Sequence, residues 1–144
     1  MTPRPLVLDA SSALAWLVER TDPGEFHIAD EALSETQKYG AIVPSVWWLE
    51  VINGALVSER RGGDKDKTAL FFGLLSHLPI DEDEWKPRSL HLSILDLSRK
   101  YSLTSYDSLY LELALRRHSP LATFDRKLAH AARAAGIPIF GDPS

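Results

Sequence analysis

The chain has 144 residues, of which 44% are hydrophobic and 25% charged, and this size and composition predict one globular domain over residues 1–144. It contains no cysteine, which excludes disulfides, thiol nucleophiles and cysteine metal ligands, so any metal would need oxygen or imidazole ligands. The net charge of −4 argues against a protein that coats nucleic acid through bulk charge, although local basic clusters could still contact phosphate.

The first predicted element is a buried strand at residues 6–8, because no polar side chain alternates with its apolar ones. Asp9 ends this strand, and Ser11 or Ser12 can cap a helix that continues to residue 17. Asp9 therefore lies at the carboxyl end of a strand, the edge where open α/β sheets bind ligands. An aspartate in such a turn can equally be a simple cap for the helix.

A second buried strand is predicted at residues 41–43, followed by a helix that runs to about Arg61. This helix is apolar nearly all round for three turns, yet it carries Glu50 and Asn53 one turn apart on one face. A glutamate buried there needs a cation or several hydrogen bonds. The alternative is a glutamate that a neighbouring helix satisfies.

The next segments predict a helix over residues 64–75, a minor strand at 78–80 and a further helix that begins within 81–84. The apolar face of the first helix is expected to include Leu70, and that of the second to include Leu92.

The carboxyl-terminal third repeats the strand-to-helix pattern. Asp107 begins a strong helix, and a strand at 120–123 leads to Asp125, which repeats the position of Asp9. A last strand at 137–140 is expected at a sheet edge because it contains a proline. No apolar run approaches the roughly 20 residues that span a bilayer, and the amino-terminal run is too short for a signal peptide. We therefore expect a soluble, cytoplasmic protein without membrane contact.

Alternating strands and helices are typical of an α/β fold with a parallel sheet covered on both faces. In such a fold Asp9 and Asp125 follow strands at the same edge, Asp107 starts a helix there, and Glu50 projects from the helix after the second strand. The four acids could therefore share one depression. Gathered carboxylates repel one another unless cations neutralise them.

A cluster of oxygen ligands suits hard divalent ions such as Mg²⁺ or Mn²⁺. Such ions could polarise a phosphodiester and orient an attacking water, so no side-chain nucleophile is required. The five histidines show no paired ligand spacing, and each is expected to be a surface residue rather than a base or a zinc ligand.

Four motifs in this order resemble the PIN-domain ribonucleases, and most closely the VapC toxins of type II toxin–antitoxin pairs: LVLDAS, a Trp-rich helix with Glu50 and Asn53, SYDSLYLELA, and LATFDRKLAHAA. The resemblance covers nearly the whole chain. It implies a three-layer α/β/α sandwich with a central parallel sheet. It also implies a metal-dependent endoribonuclease toxin that hydrolyses RNA, forms a homodimer and is neutralised by a cognate antitoxin protein.

By this resemblance, the catalytic and metal-binding residues would be Asp9, Glu50, Asp107 and Asp125. The supporting polar residues would be Ser11, Asn53 and Thr123. We expect the four carboxylates to hold Mg²⁺ or Mn²⁺ while a water attacks the phosphorus in line. Basic side chains that are candidates for RNA contact, each with solvated surface as its alternative, are Arg60, Arg61, Lys65, Lys67, Arg116, Arg117, Arg126 and Lys127.

Three other functions compete. A haloacid-dehalogenase-like phosphatase needs a second aspartate two residues after the first, where Ser11 stands, and a response-regulator receiver needs adjacent acids after its first strand. Both are disfavoured. A non-catalytic PIN-like module that binds RNA or protein stays open, although a pure binding module has no reason to tolerate clustered acids.

Overall fold

Residues 4–143, which the computed structural model describes, form four strands and seven helices. Residues 1–3 and 144 of the predicted domain lie outside this range. The strands are β1 (Leu6–Leu8), β2 (Ala41–Val43), β3 (Ile80–Glu82) and β4 (Leu121–Ala122). The helices are α1 (Ala10–Leu14), α2 (Pro23–Tyr39), α3 (Trp47–Arg60), α4 (Lys65–His77), α5 (Pro87–Tyr101), α6 (Ser105–Arg117) and α7 (Arg126–Ala134).

The strands form one sheet in the order β3-β2-β1-β4, and every pairing is parallel. Val7 pairs with Ile42 of β2 on one side and with Leu121 of β4 on the other, so β1 is an interior strand. The chain leaves β1 toward β2 on one side, while β4 joins β1 from the other side. The strand order therefore reverses at β1, and ligands of open α/β sheets bind at such a reversal, outside the carboxyl ends of the strands.

The core consists of the sheet and the helices that cover it. Every residue of β1, β2 and β4 is buried, as the absence of alternation predicted, and Trp47 and Tyr110 are fully buried between the layers. The α/β class and the three-layer α/β/α arrangement with a central parallel sheet are confirmed. Among residues 4–143, no helix combines the length and apolarity needed to cross a membrane.

The prediction of a helix start within residues 81–84 was wrong. Asp81 and Glu82 instead pair with β2 as part of β3, and the N–H of Asp83 donates to the carbonyl of Val43 (2.8 Å). An edge strand tolerates these charges because one side of it faces solvent. The helix α5 starts only at Pro87, whose fixed φ suits a first helical position.

The predicted strand at 137–140 is reduced to a single parallel bridge between Leu121 and Ile139. Pro138 has no N–H to donate, and β4 itself is only two residues long, so the ladder cannot extend. The predicted apolar faces are also incomplete: Leu70 of α4 is 75% exposed and Leu92 of α5 is 66% exposed, whereas Phe71, Leu75, Leu90 and Ile94 are buried.

Candidate active site

The candidate site lies where β1 and β4 end side by side. Because the two strands are parallel neighbours, Asp9 directly after β1 faces the segment Thr123 to Asp125 directly after β4. A backbone bond from the N–H of Asp9 to the carbonyl of Ala122 (2.9 Å) fixes this approach. The sheet alone therefore brings together residues that are more than a hundred positions apart in the sequence.

The Asp9 carboxylate is held by two hydroxyl groups. Ser11 Oγ donates to Asp9 Oδ2 (2.7 Å), and Thr123 Oγ1 donates to the same oxygen (2.6 Å). The same hydroxyls accept backbone N–H groups, Ser11 from Phe124 (2.9 Å) and Thr123 from Asp125 (3.0 Å). Neither hydroxyl occupies Oδ1. Asp9 stands at the N-cap position of α1 but makes no side-chain cap bond, so a capping role does not explain this buried acid.

Glu50 reaches the site from the first turn of α3. Its carboxylate is partly buried, and Tyr110 Oη donates to Glu50 Oε1 at 2.6 Å. Sequence reasoning missed Tyr110. The signal was present, because Tyr110 follows Asp107 by three residues and so shares its face of α6.

The other two acids begin helices. Asp107 lies in the first turn of α6, where Thr104 caps the helix by accepting the N–H of Asp107 on Oγ1 (3.1 Å). Asp125 is the N-cap of α7, and its Oδ1 accepts the N–H of Leu128 (2.9 Å). Asp125 is therefore a helix cap as well as a member of the acidic group.

The carboxylates interact electrostatically. Burial raises the pKa of Asp9 from 3.8 to about 6, opposed by its two hydroxyl donors and assisted by the charges of Glu50 and Asp125. Burial, and then the charges of Asp125 and Asp9, likewise raise the pKa of Asp107 to about 6. Burial and the charge of Asp107 raise the pKa of Glu50, against the bond from Tyr110. The four predicted acids thus form one mutually repelling cluster.

Comparison with known proteins identifies the fold family. The family model described as PIN domain matches residues 6–134, which is most of the chain. The chain belongs to the PIN domain family. PIN domains are generally nucleases and often occur in toxin–antitoxin systems. Curated proteins include no significant match to the chain. Among solved structures, PAE2754 from Pyrobaculum aerophilum is similar in fold, with a TM-score of 0.64 and 22% identity over 91% of this chain and 88% of that one.

PIN nucleases generally use divalent metals, and the donor set of this PIN domain fits such an ion chemically. All four acids offer oxygen ligands, and burial together with the charge of neighbouring carboxylates raises the pKa values of Asp9, Glu50 and Asp107. Within residues 4–143, however, no three His, Cys, Asp or Glu side chains stand close enough to hold one ion as they are oriented. A Mg²⁺-like ion fits this spacing through one or two carboxylates, since it keeps several waters.

Of the basic side chains predicted to contact RNA, Arg126 and Lys127 border the acids of the PIN domain. Both are exposed directly after Asp125, and the charge of Lys127 lowers the pKa of Asp107. Arg60 and Arg117 are both exposed. Arg60 follows Glu50 by ten residues on α3, and Arg117 follows Asp107 by ten residues on α6. At a rise of 1.5 Å per residue, each arginine lies about 15 Å along its helix from the acid. Arg61, Lys65 and Lys67 are also exposed, around the turn between α3 and α4.

Arg116 is engaged elsewhere. Its guanidinium pairs with the buried Asp83 through two bonds (2.6 and 3.1 Å) and with Glu112 through two more (2.7 and 3.1 Å). Both acids raise the pKa of Arg116. A guanidinium bound on two sides is not available to RNA while these bonds persist.

Of the predicted supporting residues, Ser11 and Thr123 contact Asp9, whereas Asn53 is exposed on α3 one turn after Glu50. Sequence reasoning also missed Arg20, which lies in the loop after α1, because no local pattern marks it. Its guanidinium stacks over the Phe124 ring at 4.7 Å and donates twice to Glu25. Arg20 thus supports the segment that carries Thr123 and Asp125.

Proposed function

We propose that the chain, as one domain over residues 1–144, is a metal-dependent endoribonuclease of the VapC type, a cytoplasmic toxin that a cognate antitoxin neutralises. The observation that carries this proposal is the convergence of four carboxylates on the sheet edge where the strand order reverses. Burial, assisted by the neighbouring carboxylates, raises the pKa values of Asp9 and Asp107, and acids perturbed in this way are candidates for a functional site. A divalent cation is the ligand that this charge and these oxygen donors favour.

In this proposal, Asp9, Glu50, Asp107 and Asp125 hold Mg²⁺ or Mn²⁺, and the ion supplies positive charge that polarises the phosphodiester. Ser11 and Thr123 fix the orientation of Asp9, and Tyr110 fixes Glu50. Arg126 and Lys127 contact the RNA backbone beside the acids. A water attacks the phosphorus in line, so no protein side chain becomes covalently attached.

The proposal includes a homodimer and an antitoxin as protein partners. An exposed apolar strip on α3 supports contact with a protein surface, because Leu49, Ile52 and Leu56 recur at helical spacing and are 66%, 41% and 41% exposed. Asn53 lies beside this strip on the same helix. The proposal of these two partners is based on the resemblance to VapC toxins and on this apolar strip.

One observation favours a second candidate, a PIN domain that binds RNA or protein without cutting it. Among residues 4–143, no group of three potential ligands is arranged to hold a metal ion. In that case the acids would be occupied by a basic partner group instead of a cation.

The deciding experiment is cleavage of a mixed pool of structured RNAs by the purified protein with Mg²⁺, with Mn²⁺ and with a chelator. Asp9→Asn is the test variant, and Asp30→Asn, which removes the same charge from an exposed position of α2, is its control. The nuclease proposal predicts cutting that needs metal, is lost in Asp9→Asn and persists in Asp30→Asn. RNA left equally intact by wild type and Asp9→Asn under every metal would support the binding module.

A further inference from the structure

An ion pair packs against the loop between β4 and α7, which carries part of the candidate site. The guanidinium of Arg20 lies over the Phe124 ring, with its Cζ 4.7 Å from the ring centroid. Arg20 Nε and Nη2 both donate to Glu25 Oε2, at 3.0 and 2.7 Å. Glu25 lies in the first turn of α2. These three side chains, the Arg20 clamp, therefore connect the start of α2 to the loop after β4.

The clamp holds Arg20 in one orientation although its backbone lies in a loop. Glu25 is itself fixed, because its backbone N–H donates to Oδ2 of Asp22, the N-cap of α2 (2.9 Å). A planar guanidinium can pair with a carboxylate along one edge while one of its faces stacks on an aromatic ring. The ammonium of a lysine offers neither a plane nor a fork. The clamp is therefore specific to arginine.

Phe124 connects the clamp to Asp9 through a hydroxyl group. The backbone N–H of Phe124 donates to Ser11 Oγ (2.9 Å), and Ser11 Oγ donates to Asp9 Oδ2 (2.7 Å). A serine hydroxyl has a single proton. Because Ser11 accepts the N–H of Phe124 on one side, its own proton is directed to Asp9. A continuous chain of contacts therefore leads from Arg20 to the buried carboxylate.

The second hydroxyl on Asp9 belongs to the same loop. Thr123 Oγ1 donates to Asp9 Oδ2 (2.6 Å) and accepts the N–H of Asp125 (3.0 Å). Thr123 and Asp125 flank Phe124 in the chain, so a shift of the Phe124 ring displaces the backbone on both sides of it. Loss of the clamp would therefore disturb both donors that hold Asp9 Oδ2.

We propose that Arg20 is a positioning residue for the reaction, which holds Phe124 and thereby keeps both hydroxyl donors on Asp9 Oδ2. Asp9 Oδ1, which neither hydroxyl occupies, is then the oxygen left for a divalent cation. The inference rests on the proposed function and adds a residue that touches neither the ion nor RNA. Groups that orient a metal-binding side chain typically change metal affinity 10- to 100-fold when they are removed.

The first test needs no metal. Hydrogen exchange of the backbone N–H groups of Phe124 and Asp125 is measured in a chelator, and Arg20→Ala should make both exchange faster. Arg133→Ala is the matched control, because Arg133 pairs with Asp142 through two bonds (2.7 and 2.9 Å) in the last turn of α7. It should leave both groups unchanged. Exchange that is equally fast in wild type and Arg20→Ala would overturn the clamp.

The second test is calorimetric titration with Mn²⁺ in the absence of RNA. Arg20→Ala should weaken Mn²⁺ binding roughly tenfold, at the low end of the usual range because Arg20 acts through intervening groups. Phe124→Leu should match it, and the double variant should bind no more weakly than either, since both changes break one chain of contacts. Phe124→Tyr, which keeps the ring, and Arg133→Ala should bind like wild type.

The variants should stay folded, because the Arg20 and Arg133 side chains are 38% and 51% exposed and pairs of this kind contribute little to stability. Faster exchange in Arg20→Ala with unchanged Mn²⁺ affinity would make the clamp a purely structural contact and overturn its role toward the ion. Urea unfolding confirms that any lost Mn²⁺ binding belongs to folded protein.

Arg20 also lines the clefts on both sides of the site, so contact with an RNA phosphate is the competing role. Binding of a labelled RNA octanucleotide in a chelator separates the two roles. Positioning predicts unchanged RNA affinity in Arg20→Ala, together with a lower kcat and an unchanged KM for RNA when metal is added. Weaker RNA binding with a reduced salt dependence, at unchanged Mn²⁺ affinity, would make Arg20 an RNA contact and overturn the proposal.

The clamp and the nuclease proposal fail in different ways. If wild type binds Mn²⁺ and cuts RNA while Arg20→Ala leaves exchange and Mn²⁺ affinity unchanged, the positioning role is overturned and the nuclease stands. If Mn²⁺ affinity depends on Arg20 and Phe124 but no metal supports cutting, the clamp stands and the hydrolase is overturned. Absence of Mn²⁺ binding to wild type would overturn both.

Discussion

At the scale of single residues, hydroxyl groups hold two of the four carboxylates in place. Ser11 and Thr123 donate to Asp9, and Tyr110 donates to Glu50. A hydroxyl that donates to a carboxylate favours its charged form, whereas burial favours the neutral one. These bonds therefore keep buried acids oriented while limiting the rise of their pKa values.

Tyr110→Phe tests the hydroxyl that holds Glu50. Removal of a buried donor to a charged group should lower the free energy of unfolding by about 1.5–3 kcal/mol. If Glu50 is a metal-binding residue, its freed carboxylate should also slow metal-dependent cleavage, by roughly tenfold on the scale of one lost positioning contact. Denaturant unfolding and the cleavage rate at several Mg²⁺ concentrations measure the two effects.

The matched control is Tyr39→Phe, which removes a hydroxyl from a tyrosine that is 45% exposed on α2. Its stability and cleavage rate should equal those of wild type. Unchanged cleavage in a stable Tyr110→Phe protein would show that the position of Glu50 does not limit the reaction.

Arg116 should contribute to the stability of the fold and not to RNA binding. Arg116→Ala leaves the buried carboxylate of Asp83 without its main partner, although Arg117 lies 4.0 Å away. Breaking such a pair is expected to cost about 3 kcal/mol of unfolding free energy, at the low end of the usual range because Arg116 is itself partly exposed. Urea unfolding of the variant measures this loss.

Arg126→Ala is the counterpart, because Arg126 is exposed beside Asp125. It should weaken RNA binding and reduce the salt dependence of that binding, with stability nearly unchanged. The assignments would be reversed if Arg116→Ala weakened RNA binding at full stability and Arg126→Ala did not.

The positions of the acids that follow strands could be predicted, because a short apolar run in the sequence marks the strand before each of them. Asp9 and Asp125 each follow a short apolar run, and parallel strands bring such positions to one edge. The ion pair of Arg116 with Asp83 could not be predicted in the same way. Asp83 is 33 residues distant in sequence, and it is buried only because its segment extends β3 instead of starting a helix.

At the scale of elements, the contact between α1 and α3 sets the approach of Asp9 and Glu50. Gly54 lies one turn after Glu50, where a Cβ would stand 3.1 Å from Leu14 Cγ and closer still to its methyl groups. A glycine there lets the two helices pack closely. Helical periodicity in the sequence could predict both helices but not this close approach, which depends on the tertiary arrangement.

Gly54→Ala should therefore behave differently from Gly73→Ala. Gly73 lies in α4 with no atom within 4 Å of an added Cβ, so alanine should stabilise the protein there by about 0.5–1 kcal/mol through helix propensity. At Gly54 alanine should bring the same gain in helix propensity, but its Cβ would overpack against Leu14, which should cost about 1–3 kcal/mol of unfolding free energy. Thermal unfolding should rank Gly73→Ala above Gly54→Ala. Equal stabilisation of both would show that α1 moves freely away from α3.

Edges of the sheet were the elements least predictable from sequence. The buried strands β1 and β2 have continuous apolar runs, and their bounds were predicted correctly. The edge strand β3 includes Asp81 and Glu82, whose charges resemble a helix start until the pairing with β2 is known. Asp81 and Glu82 form a strand only because they pair with β2, and the local sequence does not specify that pairing.

At the scale of the whole molecule, the fold keeps a cluster of negative charge at the point where its strand order reverses. The net charge of −4 offers no general compensation for it. Without a cation, the folded state therefore carries an electrostatic cost that the unfolded chain avoids by separating the acids. This cost links stability to pH and to divalent metal.

The linkage predicts that metal-free protein loses stability as pH rises from about 4 to about 6. The pKa of Asp9 is higher in the folded state, about 6, than its ordinary value of 3.8, so the folded state binds the proton more tightly and gains from it at low pH. That gain, roughly 3 kcal/mol for Asp9, disappears as pH rises through this window. In a chelator, Asp9→Asn should be more stable than wild type at pH 7.5 and nearly equal to it at pH 4.

Urea unfolding of wild type, Asp9→Asn and the surface control Asp30→Asn at both pH values, with and without Mg²⁺, measures the effect. Asp30→Asn should follow the pH dependence of wild type, because Asp30 is exposed on α2. Mg²⁺ should raise the stability of wild type at pH 7.5, where the acids are ionised, much more than at pH 4, and should raise that of Asp9→Asn less. If the difference between wild type and Asp9→Asn were the same at both pH values, the buried carboxylate would not be the group that couples stability to protons. Were Mg²⁺ to stabilise both proteins equally, the ion would bind away from Asp9.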